Sequence, residues 1–428
     1  MTMTKRALVL GATAAAVTAV TITGAGIHLN KGQAFFRESP KEIVDEVWQV
    51  IDRNYVDGTF NQVDWKAARS QYLARNYANK EEAYKAIREM LKPLGDQYTR
   101  FMDPTEFKNM QIDTSGELTG VGIQLAADEK TKKLTVVAPI EGSPASSAGI
   151  LAKDIIAQID GKSTEGMDVN QAVNLIRGAA GTQVKLTVVR GNQQLDFPLK
   201  RAKIEIHPVR YSVKPSPTGN VGYIRLVQFS ANAAPEMRNA IQNLEKQGVS
   251  GYILDLRSNP GGLLYASVDI ARMWLQSGGI VSTVDRKGIS EKESANNRAL
   301  TTKPLVVLVD GGSASASEIL SGALQDNRRA TIVGTKTFGK GLVQSVRGLG
   351  DGSGLAVTIA KYLTPNGRDI NKNGIAPDVV FDLNDQQRQV LVQDRDKIGT
   401  TEDPQYAKAL QVLNQRISGK DTTRAESK

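Results

Sequence analysis

Forty residues, 305–344, constrain the fold of this chain more than any other part of it: LVVLVDGGSASASEILSGALQDNRRATIVGTKTFGKGLVQ. Leu305–Val309 is an unbroken apolar, largely β-branched run, the pattern of a strand buried on both faces and hence of a parallel sheet covered by helices. Asp310-Gly311-Gly312 interrupts it, and a Ser/Ala cluster leads into Glu318, Ile319, Leu320, Ala323 and Leu324, the apolar stripe of a helix. A strand, a glycine turn and a helix N-terminus in this order bring side chains and free backbone N–H groups to the end of a sheet. An oxyanion placed there is stabilised by the unpaired donors and the helix dipole. A second strand-like run follows at residues 330–333. Beyond it come a lysine between glycines, Gly339-Lys340-Gly341, and then Gln344.

The residue inventory narrows the chemistry. There is no cysteine, so thiol nucleophiles, zinc–thiolate sites and disulfides are excluded. The two histidines are His28, inside a candidate export signal, and His207, followed by Pro208. A histidine-rich metal site is thereby excluded, and a Ser-His-Asp triad would rest on His207 alone. Serine can otherwise be activated by a neutral lysine whose pKa is lowered by burial. From the local pattern Ser313, Ser315 and Ser317 are equivalent candidates. Ser315 with Glu318 also reads as a capping box, and Lys340 as a solvated loop charge. Two other motifs fail on inspection. GTKTFGKG nearly fits a phosphate-binding loop, but Gly341 stands where a Ser or Thr must bind magnesium. Asp369-Ile-Asn371-Lys-Asn373-Gly374 opens like an EF-hand, but Val380 occupies the position of the bidentate glutamate.

GGSASASEILSGALQD followed by GTKTFGKGLVQ resembles the catalytic signature of the carboxyl-terminal-processing proteases, tail-specific serine endopeptidases. The resemblance implies Ser315 as nucleophile, Lys340, 25 positions later, as its base, and Gln344, four further on, as the residue orienting the lysine. Arg257-Ser-Asn-Pro-Gly261-Gly262 is similar to the family's R-x-N-P-G-G. There a glycine N–H, of Gly261 or Gly262, joins that of Ala316 in an oxyanion hole; φ-positive turns alone would also explain the glycines.

The rest of the chain fits the same outline. Lys5-Arg6 precede an uncharged run, residues 7–27, and Gly32-Gln33-Ala34 ends it in a small-x-small pattern. The run predicts export, as a cleaved signal or an uncleaved anchor. Without residues 1–34, which carry Lys5, Arg6, Lys31 and no acid, the net charge falls from +9 to +6. That excess is compatible with peripheral or anchored association with an anionic membrane, and no basic, aromatic stripe points to nucleic acid. Residues 39–110 read as helices beginning at Ser39-Pro40, and LGDQYTRFMDPTEF within them reads as a structural cap. Residues 116–202 resemble a PDZ domain, most clearly in GSPASSAGILAKDIIAQIDGKS. There Gly120, Val121, Gly122 and Ile123 would bind a peptide carboxylate, with Val173 and Ile176 of a following helix lining the groove. Residues 288–302, polar and aperiodic, read as a mobile loop.

The expected fold class is therefore α/β within an α+β multidomain chain: a ClpP/crotonase-like protease core with an inserted PDZ domain and an N-terminal helical region. The segments are 1–34 (signal peptide or anchor), 35–115 (helical region), 116–202 (PDZ), 203–385 (protease core) and 386–428 (C-terminal helix and disordered tail). The implied function is a Ser/Lys endopeptidase without metal or cofactor. Its partners are polypeptides with free C-termini, in the periplasm or the thylakoid lumen. The stretch VDEVWQVIDRNYVDGTFNQVDW is similar to the cyanobacterial and chloroplast branch, which implies the photosystem II D1 precursor as a substrate. A catalytically silent PDZ adaptor and a crotonase-like acyl-CoA enzyme are the alternatives.

Overall fold

The structure, a computed structural model, describes residues 39–128 and 131–419. The candidate signal and the end of the charged tail lie outside them. The chain forms two compact units. One joins the residues up to Thr114 to those from Pro208 onward, and the other is Ser115–His207.

The larger unit is built on a six-stranded sheet in the order Val209–Lys214, Val221–Leu226, Tyr252–Asp255, Leu305–Val309, Ala330–Gly334, Val379–Val380. It is parallel from the second strand on. Leu305–Val309 is central, and all five residues are fully buried. Leu305, Val307 and Val309 face helices Ala233–Lys246, Leu264–Trp274 and Ala316–Asp326. Val306 and Leu308 face the other way, against Tyr406, Ala409 and Leu413 of the helix Pro404–Ile417. Two covered faces explain an apolar run without alternation.

A second sheet orders Arg100–Met102, Gly354–Leu363, Gly279–Asp285 and Gly288–Ser294, with Leu342–Gly348 also paired to Gly354–Leu363. The N-terminal helices are not a region apart. Helices Pro40–Asn54, Trp65–Leu73 and Lys80–Leu91 share a core with Leu349, Leu355 and Val357, and Arg100–Met102 pairs with Gly354, Leu355 and Ala356. Nor is residues 288–302 a loop throughout. Gly288–Ser294 pairs antiparallel with Gly279–Asp285, in a register broken between Gly279 and Val281 and between Thr283 and Val284. Such bulges erase side-chain alternation, so a hairpin held by its backbone escapes a periodicity test.

The smaller unit carries a sheet ordered Ile123–Ala127, Leu134–Pro139, Ile155–Ile159, Gln183–Arg190, Gln193–Lys200, and the helix Val169–Ile176. Its ends pair with each other, Glu117–Gly120 against Ala202–Glu205, so the unit extends past residue 202 to His207. Ile123–Ala127 is an edge strand, the position at which an extended peptide can add. Val121 and Ile176 belong to the core, whereas Ile123 is partly buried and packs against it from the edge strand.

Candidate active site

Ser315 sits where the central strand gives way to the helix Ala316–Asp326. It is fully buried, and its backbone lies at φ 55° and ψ −111°, a region that non-glycine residues avoid. Such strain, worth roughly 1–3 kcal/mol, persists only where the surroundings impose it. Here Asp310 and Asn259 impose it. The Asp310 carboxylate accepts from Gly312 N–H at 2.9 Å and from Ser258 N–H at 2.8 Å. The Asn259 carbonyl accepts from Ala314 N–H at 3.0 Å and from Ser317 Oγ at 2.9 Å.

The three serines, equivalent in sequence, differ in structure. Ser313 Oγ donates to Leu256 O at 2.8 Å, and Ser317 Oγ to Asn259 O. Ser315 Oγ is buried with no hydrogen-bond partner. It makes no side-chain cap hydrogen bond to the helix, whereas Glu318 Oε2 accepts from Ser315 N–H at 2.7 Å.

Glu318, read from sequence only as a capping partner, organises the site. It is fully buried and accepts four hydrogen bonds. Oε1 takes Thr337 Oγ1 (2.6 Å) and Gly339 N–H (2.7 Å), and Oε2 takes Ser315 N–H and Lys340 N–H (2.8 Å). One carboxylate thus ties the backbone of the candidate nucleophile to that of the candidate base. The flanking glycines are needed for close approach. A Cβ on Gly341 would lie 2.3 Å from Asn371 N, and one on Gly339 3.0 Å from the Lys372 carbonyl carbon. The EF-hand-like segment is therefore the backing of the lysine loop. Among the described residues no group of acidic or histidine side chains is placed to hold a metal.

Lys340 is partly buried rather than a solvated loop charge. Burial pushes its amine down to about 8; the like charge of Arg100 acts in the same direction, and Asp96 and Glu318 oppose it. Its Nζ lies 4.8 Å from the centroid of the Tyr98 ring. Tyr98 and Arg100, read as part of a structural cap, instead line the lysine's cavity with Met110 and Gln344. No sequence periodicity signals this, because the strand pairing that brings Arg100–Met102 in spans about 250 residues. Gln344 does not hold Lys340 in this structure: Nε2 reaches Thr358 Oγ1 at 3.4 Å, and Oε1 is without a partner.

The glycine turn adjoins the serine. A Cβ on Gly261 would meet Ala316 N and Ser315 Cβ, each at 2.9 Å, and one on Gly262 would meet Phe229 O at 2.3 Å. Both have positive φ, 99° and 141°. Gly261 N–H is held by Asn259 Oδ1 at 2.9 Å. Ala316 is the first residue of its helix, so its N–H has no intrahelical acceptor. Arg257 of the same turn is structural. Its guanidinium is buried between Asp255 and Asp403 at 2.6 and 2.7 Å, anchoring the start of the last helix, and it holds the Asp255 carboxyl below its usual range against the effect of burial.

A strained serine with an unengaged hydroxyl, a lysine with a depressed pKa and free N–H groups can support acyl transfer without a metal. Comparison with known proteins finds peptidase and PDZ-domain matches. Residues 220–381 match peptidase family S41, residues 135–190 a PDZ domain and residues 36–92 the C1 domain of tricorn protease. The carboxyl-terminal-processing protease of Synechocystis sp. is 46% identical over 92% of this chain and 91% of its own. The chloroplastic carboxyl-terminal-processing peptidase 3 of Arabidopsis thaliana is 42% identical over 78% of this chain and 67% of its own. A solved structure described as photosystem II D1 C-terminal processing protease is 37% identical. It covers 90% of this chain and 99% of its own, with a TM-score of 0.57.

Proposed function

The chain belongs to the carboxyl-terminal-processing proteases of peptidase family S41 and is a peptide hydrolase, and from that premise we propose that Ser315 is its nucleophile and Lys340 its general base. The observation that carries this reading is the unpartnered Ser315 Oγ between two serines whose hydroxyls are engaged. Neutral Lys340 takes the Ser315 proton as Oγ attacks the scissile carbonyl. The oxyanion is received by the N–H groups of Ala316 and Gly262, since Gly261 N–H is held by Asn259 Oδ1. The lysine returns the proton to the leaving amine, and water, deprotonated by the same lysine, releases the acyl group. Gln344 would orient the amine once it has turned toward the serine.

Substrate choice is assigned to the smaller unit. A substrate C-terminus would add beside the edge strand Ile123–Ala127, its carboxylate held by the backbone at Gly120, Val121 and Gly122. Val173 would line the groove, and Ile176 would support it from the core. The D1 precursor is the substrate we propose, because the solved structure of 37% identity is described as processing D1. The protein would then act on the exported side of a membrane, in a thylakoid lumen or a periplasm. Its +6 charge beyond residue 34 would favour the anionic surface in which such a substrate is embedded. Among the described residues no helix is long and apolar enough to cross a membrane.

The test is cleavage of an unfolded protein with a free apolar C-terminus, and of a D1-tail peptide, each against its C-terminally amidated form. Cleavage of the free form with strongly reduced cleavage of the amidated one is expected. Binding without turnover would replace the protease reading by the adaptor. Equal cleavage of both forms would remove the tail-recognition step.

The pH dependence has a definite sign. The base must be neutral, and with a pKa of about 8 only about a tenth of Lys340 is neutral at pH 7. We expect kcat/KM to rise about tenfold per pH unit below 8 and to level off above it, measured in constant-ionic-strength buffers. A profile flat from pH 6 to 9 would rule out Lys340 as the base.

A further inference from the structure

Two buried side-chain atoms at the site have no partner, Ser315 Oγ and Gln344 Oε1. The orientation of Gln344 is enforced. Thr358 Oγ1 donates to Asp96 Oδ2 at 2.5 Å, so it can only accept from Gln344, and the amide must turn its Nε2 toward it. Oε1 is left facing away. The same Asp96 carboxylate accepts Tyr98 N–H at 2.9 Å and Thr99 Oγ1 at 2.7 Å, so one carboxylate fixes both Gln344 and the backbone of Tyr98. Lys340 shares their cavity and lies over the Tyr98 ring; among the described residues its amine has no hydrogen-bonding or ion-pairing partner.

We propose that Tyr98 is a positioning residue: its ring face holds Lys340 while the lysine is charged, and loss of the proton releases the amine to Ser315 Oγ and Gln344 Oε1. This rests on the assignment of Lys340 as the base. The physics of the two states differs. A ring quadrupole attracts an ammonium and not a neutral amine. A neutral amine has one lone pair and two N–H groups. The lone pair accepts the Ser315 hydroxyl, and an N–H donates to Gln344 Oε1, satisfying both orphan atoms at once. The charged groups around the amine do not provide a competing seat. Arg100, on the same segment as Tyr98, repels it. Asp96, in the preceding turn, already accepts three hydrogen bonds, and Glu318, on the helix, four. In the productive state deprotonation and delivery become one event.

The experiment follows Lys340 itself. Its Nζ resonance, assigned by loss in Lys340→Ala, is titrated by NMR in the full-length Ser315→Ala protein, alone and combined with Tyr98→Leu or Tyr98→Phe. Tyr98→Leu keeps an apolar wall but removes the π face, and should lower the titration midpoint by about 0.5–1.5 pH units. Tyr98→Phe should leave it in place. In the enzyme with Ser315 restored, the acidic limb of kcat/KM should move down by the same amount in Tyr98→Leu. Thermal melting checks folding, and Tyr98→Met substitutes for the leucine variant if that one melts early. A midpoint that is unmoved or rises in Tyr98→Leu, or one that moves as far in Tyr98→Phe, overturns the proposal. A midpoint that falls as expected without any change in the kinetic limb supports the seat on Tyr98 and overturns Lys340 as the base.

Discussion

Ser315→Ala is expected to lower kcat/KM for peptide hydrolysis by about 10⁴- to 10⁶-fold, the range seen when a serine hydrolase loses its nucleophile. Ser313→Ala and Ser317→Ala should each cost about tenfold or less. The contrast comes from where each hydroxyl points. Ser313 Oγ both donates to Leu256 O and accepts Asp310 N–H at 3.0 Å; on its removal Leu256 O keeps Asn259 N–H as a donor, but the part-buried Asp310 N–H loses this acceptor. That should appear as a stability loss of roughly 1–3 kcal/mol in urea unfolding. Ser317→Ala should cost less, because Asn259 O keeps Ala314 N–H as a donor. Ser315→Ala removes no hydrogen bond, its hydroxyl having no partner, and should leave the unfolding midpoint nearly unchanged. An inactive protein of unchanged stability is what a residue held for chemistry gives. Should Ser315→Ala retain more than about a hundredth of the activity, the nucleophile lies elsewhere.

What the sequence disclosed of this site, and what it hid, follows one physical division. The strand–turn–helix at 305–324 was legible because burial on both faces, a glycine break and a helical stripe are local signals, and the folded chain has all three. The edge strand and helix of the smaller unit were legible instead through the resemblance of residues 116–202 to a PDZ domain. Contacts made across long separations were not. Tyr98 and Arg100 reach Lys340 only because Arg100–Met102 pairs with Gly354, Leu355 and Ala356, and nothing in YTRF itself distinguishes a pocket wall from a cap. The Gly288–Ser294 hairpin was missed because a bulge in each of its two strands breaks alternation. Glu318 was visible only as a capping partner; three of its four donors belong to the loop 337–340, and the fourth to the serine it was expected to help cap. Local pattern reports secondary structure. Which hydroxyl is free, and which carboxylate is saturated, are properties of tertiary packing.

Glu318 therefore gives the second large expected effect. In Glu318→Gln the side chain keeps its shape but offers one acceptor oxygen and one NH₂. Each carboxylate oxygen now faces two donors, Thr337 Oγ1 with Gly339 N–H on one side and Ser315 N–H with Lys340 N–H on the other. No flip of the amide avoids setting its NH₂ against two N–H groups or against an N–H and a hydroxyl. The hydroxyl can rotate, so the amide should settle with its NH₂ toward Thr337 and Gly339. Even so, Gly339 N–H is left buried and unpaired, and its loop must shift. We expect a stability loss of about 2–4 kcal/mol and a fall in kcat/KM of about 10²-fold or more, since an ångström of misplacement at reacting groups is enough for that. Glu318→Asp, shorter by one methylene, cannot reach both segments and should be no better. The diagnostic is the combination. A residue that merely capped the helix would lose stability on substitution while the surviving folded protein stayed active. A residue that holds the serine and lysine backbones in register loses activity in the folded fraction as well, with kcat rather than KM carrying the change. Full kcat in folded Glu318→Gln protein would reduce Glu318 to a helix cap.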